Sequence, residues 1–229
     1  MSAPFEPHIG VLPAAQKQLW PQLAPAREQG FVLYGGTAVA LHLGHRTSVD
    51  FDFFNAAPLN KAKISSAFGF IQNARPLQED INSLVVDAVA PAGHVKVSFF
   101  GGLALGRIND PLPTRDGVLL VASLEDLLAT KLKAILDRAE AKDYRDIAAM
   151  LLAGVSLERS LGGFAKMFKS DAALPLKALG FFKDGDLPSL SQGDRDVLCR
   201  ARDGVSKIGQ VMLHTGLLPK SHGSVGSRP

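Results

Sequence analysis

Cysteine is nearly absent: Cys199 is the single one in 229 residues, which excludes an intramolecular disulfide framework and a cysteine-rich zinc site. No stretch approaches the roughly 18 to 20 uninterrupted apolar residues of a membrane span. The opening MSAPFEPHIG has neither the basic nor the apolar region of a secretory signal. A cytoplasmic protein with no membrane contact is therefore expected. No histidine group has the spacing of a zinc site, and no dense lysine–arginine tract marks a duplex-binding surface. The formal charge of +3 and a pI near 9.0 are compatible with nucleotide or nucleic-acid contact without requiring it. The length allows one sizeable core, or a core with a smaller helical part.

What the chain does have is concentrated in residues 31 to 54, FVLYGGTAVALHLGHRTSVDFDFF. Residues 31 to 34 read as a buried strand running into Gly35 and Gly36, a turn where the backbone comes close to something or takes positive φ. Thr37 caps or begins a short helix over about Ala38 to Leu43, closed by Gly44. In VDFDFF the period of a strand puts Asp50 and Asp52 on one face and Val49, Phe51 and Phe53 on the other. Taken alone, such a pair could simply line the wet face of an edge strand. Two adjacent carboxylates repel, however, and so favour a cation, with oxygen ligands suiting Mg2+ and ligand phosphates completing its shell. A nearby Gly-Gly turn offers backbone N–H groups to those phosphates.

Before this unit, residues 1 to 10 read as loosely attached, followed by a broken helix over about Pro13 to Gln29 with Trp20 as a core anchor. After it come a helix at Lys61–Phe68, an ambiguous strand over Ile71–Leu77, and the strands Ser83–Ala90 and Val95–Phe100. The last two form an antiparallel hairpin beside the acid-bearing strand. Residues 101 to 117, with Gly101, Gly102, Gly106, Pro111, Pro113 and Gly117, read as surface loop. Val118–Ala122 makes a last short strand. From Ser123 the period becomes helical: a capped helix ends at Asp137-Arg138 and a second runs from about Lys142 to Leu152. Short helical segments follow at Leu157–Phe168, Ala172–Phe182 and Asp194–Leu213, with a flexible tail from residue 219. On their own, Lys131, Arg138, Lys142, Asp143 and Asp146 could be ion pairs of a polar helix surface.

The segment Gly35-Gly36-Thr37, His45-Arg46-x-Ser48 and Asp50-x-Asp52 resembles the signature of the nucleotidyltransferase superfamily related to DNA polymerase beta. More narrowly, it resembles the AbiEii/AbiGii-type toxin nucleotidyltransferases of bacterial toxin–antitoxin and phage-defence systems. The resemblance implies an α+β fold: a nucleotidyltransferase core with a small mixed β-sheet flanked by helices over residues 1–122, a helical part over 123–218 that completes the site, and the tail 219–229. It further implies transfer of a nucleoside monophosphate from a nucleoside triphosphate (NTP) to a hydroxyl of RNA, tRNA included, or of a protein. Asp50 and Asp52 would hold Mg2+, or Mn2+ in its place. Gly35, Gly36 and Thr37 would embrace the triphosphate, with Arg46 or Ser48 on its outer phosphates. Lys131, with Lys133 as second choice, matches the family's phosphate-binding lysine. Asp143 or Asp146 would orient or deprotonate the acceptor, and Arg138 or Lys142 would hold the helix pair or the phosphate tail. An antitoxin protein is the implied partner. One departure stands out: the third carboxylate expected on the strand after the acid pair is Ser98, which carries no charge to hold a second metal. Asp87 is a possible substitute, and a catalytically weakened protein that only binds nucleotide or a partner is the alternative reading.

Overall fold

The computed structural model describes residues 3–219. Helices α1 (Ala14–Leu19) and α2 (Pro25–Glu28) lead into strand β1 (Val32–Tyr34), helix α3 (Gly35–Leu43) and strand β2 (Asp50–Phe54). Helix α4 (Lys61–Ala67) precedes a three-strand meander of β3 (Arg75–Asp80), β4 (Ser83–Ala90) and β5 (Gly93–Phe100). Two short strands, β6 (Leu112–Pro113) and β7 (Leu120–Val121), complete the sheet. Helices α5 (Leu124–Asp137), α6 (Ala141–Leu152), α7 (Leu157–Phe168), α8 (Ala173–Ala178) and α9 (Gln192–Gly204) then follow.

The sheet order is β3-β4-β5-β2-β1-β7-β6. It is mixed: β2 lies parallel to β5 and β1 parallel to β7, with the other pairs antiparallel. The alternation expected of DFDFF is realised, since Phe51 and Phe53 are fully buried while Asp50 and Asp52 face the other way. On the aromatic side Phe53 stacks on Phe99 with centroids 5.4 Å apart, and Phe31 and Phe68 meet Phe99 at 5.3 and 5.0 Å. Trp20 tilts against Phe51 and donates its indole N–H to Asp116 at 2.7 Å, as a core anchor should. Helix α3 lies on the opposite, acid-bearing side, in contact with β2, α5 and α6.

Several local expectations are corrected. Residues 3 to 10 are tied down: Phe5 bridges to Thr114, the His8 N–H donates to the Leu41 carbonyl at 2.8 Å, and Phe5 stacks on His42 at 4.2 Å. The uncertain strand begins four residues after Ile71, at Arg75, because residues 69 to 73 form a 3-10 turn first. The 101–117 segment is not merely surface loop. Arg107 and Ile108 are buried within it, and the backbone N–H groups of Ile108 and Asn109 donate to the Asp126 carboxylate. The last helix ends at Gly204 rather than at Leu213. Beyond it the chain runs extended along α7, where Gly209 donates its N–H to the Glu158 carbonyl at 2.9 Å. A Cβ on Gly162 would come 2.0 Å from the Gly209 carbonyl oxygen, so this approach requires glycine. Leu152, at the end of α6, is 70% exposed. Of the tail, residues 220–229 lie outside the described region.

Candidate active site

Strand β1 feeds directly into α3 at Gly35, with no intervening turn. Gly35 has φ +77°, and a Cβ there would sit 2.5 Å from Asp52 Oδ2. A Cβ on Gly36 would sit 2.5 Å from an Arg46 guanidinium nitrogen and 3.1 Å from Ser48 Oγ. At Gly35 the positive φ and the Asp52 carboxylate together require glycine, whereas a side chain at Gly36 would have to displace the Arg46 guanidinium. The N-terminus of α3 has no side-chain cap, which leaves its first N–H groups open to an anion. Thr37 is neither the cap nor part of the cavity wall. It is buried, and its hydroxyl donates to the Asp50 carbonyl, locking α3 to β2.

Asp50 and Asp52 stand on one face of β2. In the parallel register of β2 and β5, Asp50 lies opposite Lys96 and Asp52 opposite Ser98. Lys96 Nζ is 2.9 Å from Asp50 Oδ2. Burial pushes the Asp52 carboxyl up. Its hydrogen bond with Ser98 and the charges of Lys96 and Lys131 oppose that rise, while the charge of Asp50 adds to it. Asp87 does not substitute for a third carboxylate. It sits one strand beyond Lys96 and is engaged by His94 at 3.0 Å and Arg75 at 3.5 Å.

Facing this acid wall is a buried ion network carried by α5 and α6. Asp146 is fully buried and accepts both arms of the Arg46 guanidinium, Nε at 2.6 Å and Nη2 at 2.8 Å. It also accepts from His45 Nε2 at 2.8 Å and pairs with Lys131 Nζ at 2.6 Å. Asp143, equally buried, takes Lys131 at 2.6 Å and Arg138 at 2.8 and 3.3 Å. These are core ion pairs, not decoration of a helix surface. Burial pushes both carboxyls up, but the hydrogen bonds and cations outweigh it and hold them below the usual carboxylate range.

Between the walls lies a cavity of about 520 Å³, lined among others by Gly35, Gly36, Arg46, Ser48, Asp50 and Asp52, and by Lys96, Ser98, Lys131, Arg138 and Lys142. Nine of the expected site residues thus converge. Thr37, Asp143 and Asp146 stand behind the wall. The structure speaks against Asp143 or Asp146 as a general base: every oxygen is committed to a cation, and neither carboxylate lines the cavity. His45 is likewise taken up by Asp146 and does not line the cavity. Lys133 pairs with Asp137 on the helix surface and stays out of the cavity. Lys142 lines the rim and pairs with Glu140 at 2.8 Å. Lys96 and the apolar ledge of Leu77, Val85 and Phe100 were not foreseen as site residues. Lys96 was within reach, since it lies two positions before Ser98 on a strand; the ledge depends on β3 and β4 pairing and left no local signal.

Among the described residues no cluster of three His, Cys, Asp or Glu side chains could hold a metal. The donors present are two carboxylates, one of them desolvated, and the Ser98 hydroxyl. That set fits one hard divalent cation sharing its shell with ligand phosphates and water.

The fold is one shared with known nucleotidyltransferases. MenT4, a nucleotidyltransferase toxin of Mycobacterium tuberculosis, superposes with a TM-score of 0.53 at 14% identity, over 80% of this chain and 79% of that one, a likeness of fold. The chain belongs to the AbiEii nucleotidyl transferase toxin family of type IV toxin–antitoxin systems, whose model matches residues 22–201. An uncharacterized protein of Aquifex aeolicus is 28% identical over 158 residues, covering 67% of this chain and 74% of that protein.

Proposed function

We propose that this enzyme transfers a nucleoside monophosphate from an NTP to a hydroxyl of RNA, tRNA included, or of a protein, as the toxin of a toxin–antitoxin pair. The observation that carries this reading is the pairing of Asp50 and Asp52 with the uncapped α3 N-terminus on one side of the cavity and Arg46, Lys131 and Arg138 on the other. Asp50 and Asp52 hold Mg2+, or Mn2+; when bound, the ion neutralises phosphate charge. The N–H groups at Gly35 and Gly36 receive phosphate oxygens. Arg46, Lys131 and Arg138 present cations to the rest of the triphosphate and hold its α-phosphorus in line with the acceptor.

In the transfer, the acceptor oxygen bonds to the α-phosphorus while the bond to the bridging oxygen breaks. The electron pair leaves with pyrophosphate, and the hydroxyl proton passes to water. The catalytic work is positioning and charge stabilisation. Asp143 and Asp146 serve as positioning residues by fixing Lys131, Arg46 and Arg138 in place. Residues 1–122 carry the acid wall and Arg46, and 123–218 add Lys131 and Arg138 opposite, the helical part completing the site. The family relationship supports an antitoxin partner. No described helix is long and apolar enough to cross a membrane.

Ser98 favours a second reading, a protein that binds nucleotide or its partner with weakened turnover. Incubation with each α-labelled NTP, Mg2+ and total RNA separates the two. Label on RNA with release of pyrophosphate, lost in Asp50→Asn, is expected. Retained nucleotide binding with no transfer from any NTP to RNA or protein would establish the second reading instead.

A further inference from the structure

In-line phosphoryl displacement is commonly assisted by two divalent ions that clamp the attacking and leaving oxygens. Two ions need more anionic ligands than this site offers, because the residue opposite Asp52 is the neutral Ser98. The next same-face residue on β5 is Lys96, opposite Asp50, and its ammonium lies 2.9 Å from Asp50 Oδ2. A second carboxylate, Asp87, flanks Lys96 on the other side in the same row, yet it is occupied by His94 and Arg75. Lys96 therefore leans toward the acid pair. It lines the cavity and keeps 43% of its side chain exposed, so the ammonium can meet a ligand.

We propose that the Lys96 ammonium takes the electrostatic place of a second divalent ion, so that the site works with one divalent cation and one built-in positive charge. This rests on Asp50 and Asp52 being the cation ligands. Two carboxylates, one ammonium and one divalent ion leave a net charge of plus one. Three carboxylates and two divalent ions leave the same. The replacement of a carboxylate by Ser98 is thereby balanced by a lysine two residues away. Lysine suits the task because its ammonium is a compact point charge with three rotatable donors on a flexible stem. It forms no bond to phosphorus.

The test counts bound Mn2+ by electron paramagnetic resonance in the presence of a saturating α,β-methylene NTP, with nucleotide affinity measured alongside. Wild type binds one Mn2+ per chain. Lys96→Ala still binds one but loses about tenfold in nucleotide affinity, and Lys96→Arg recovers most of it. Lys96→Ala combined with Ser98→Asp, which restores the carboxylate and removes the ammonium, binds two. Two ions in wild type, or unchanged nucleotide affinity in Lys96→Ala, overturns the proposal while leaving Asp50 and Asp52 as cation ligands. No Mn2+ in wild type overturns that underlying assignment as well. Because Ser98 is buried and its substitution can disturb packing, the wild-type count and the two single Lys96 variants decide the matter without the double variant.

Discussion

Asp146 offers the sharpest test of the ion network. Its side chain is fully buried, and it balances Arg46, whose side chain is 20% exposed, and Lys131, at 7%. Truncation to alanine leaves Lys131 with Asp143 as its remaining carboxylate and leaves the Arg46 guanidinium with the Thr47 carbonyl. Removing one partner of a buried ion pair typically costs about 3 to 5 kcal/mol, because the other charge stays desolvated. The partial exposure of Arg46 and the second partner of Lys131 place Asp146→Ala near the lower end. With a urea slope of about 2 kcal/mol/M, the unfolding midpoint should fall by about 1.5 M. Asp146→Asn, which keeps the shape and one acceptor oxygen, should lose less. Adding Lys131→Met to Asp146→Asn should cost less than the two losses summed, because the stranded charge goes too. The folded carboxyl lies below its ordinary value, so its stabilisation is complete above the unfolded value of about 3.9 and fades as pH falls through the folded one. The gap between the wild-type and Asn proteins should accordingly narrow as the pH falls below about 4. A loss below about 1 kcal/mol for Asp146→Ala, the level of a surface pair, would refute the view that this carboxylate holds the cation wall together.

Asp52 behaves oppositely. Its folded pKa is raised, so the protein loses stability as pH rises from the unfolded value through the folded one. Asp52→Asn should raise Tm of the metal-free protein at pH 8, leave it nearly unchanged at pH 4, and abolish Mn2+ binding; a lower Tm at pH 8 would contradict the desolvation account. Gly35→Ala combines a left-handed backbone with a Cβ 2.5 Å from Asp52 Oδ2, so a stability loss of at least about 1 to 2 kcal/mol is expected in urea. Nucleotide affinity should fall with it. Ser123→Ala removes the hydroxyl that accepts the Asp126 N–H at 3.1 Å at the start of α5, for about 1 kcal/mol. Mn2+ binding in that variant should match wild type, separating damage to the scaffold from damage to the site.

The acid wall was legible in the sequence because everything that makes it is local. Gly35, Gly36, Asp50 and Asp52 fall within eighteen positions, and the two-residue strand period assigns their faces without knowledge of the fold. The resemblance singled out Ser98 on a later strand, and the β2–β5 register sets it opposite Asp52. The strand period puts Lys96 on the same face as Ser98, but a lone lysine in VKVSFF looks like ordinary alternation until its neighbour across the register is known. The helix pair was legible for a different reason: its apolar stripe and the Ser123 cap are strong local signals. What the pair does was not. Asp146 is bound by Arg46 from 100 positions away, and nothing local separates a polar helix face on the surface from one buried against another unit.

That distinction changes what the two helical aspartates are for. A general base needs a free lone pair directed at the acceptor proton and a proton affinity suited to the task. Asp143 and Asp146 have neither, since Lys131 bridges them at 2.6 Å to each and the two arginines occupy the remaining oxygens. The arrangement reaches the cavity through its cations. Desolvated carboxylates behind the wall fix three positive groups that would otherwise be mobile and hydrated, so less reorganisation is needed when phosphate arrives. Across the gap the logic is inverted, with Asp50 and Asp52 kept close together by the sheet, one of them desolvated, and relieved by the Lys96 ammonium at Asp50 and the Ser98 hydroxyl at Asp52. Each wall is thus poised for a ligand carrying the opposite charge to its own, a divalent ion at one and a polyphosphate at the other. An NTP bound with its metal ion satisfies both at once.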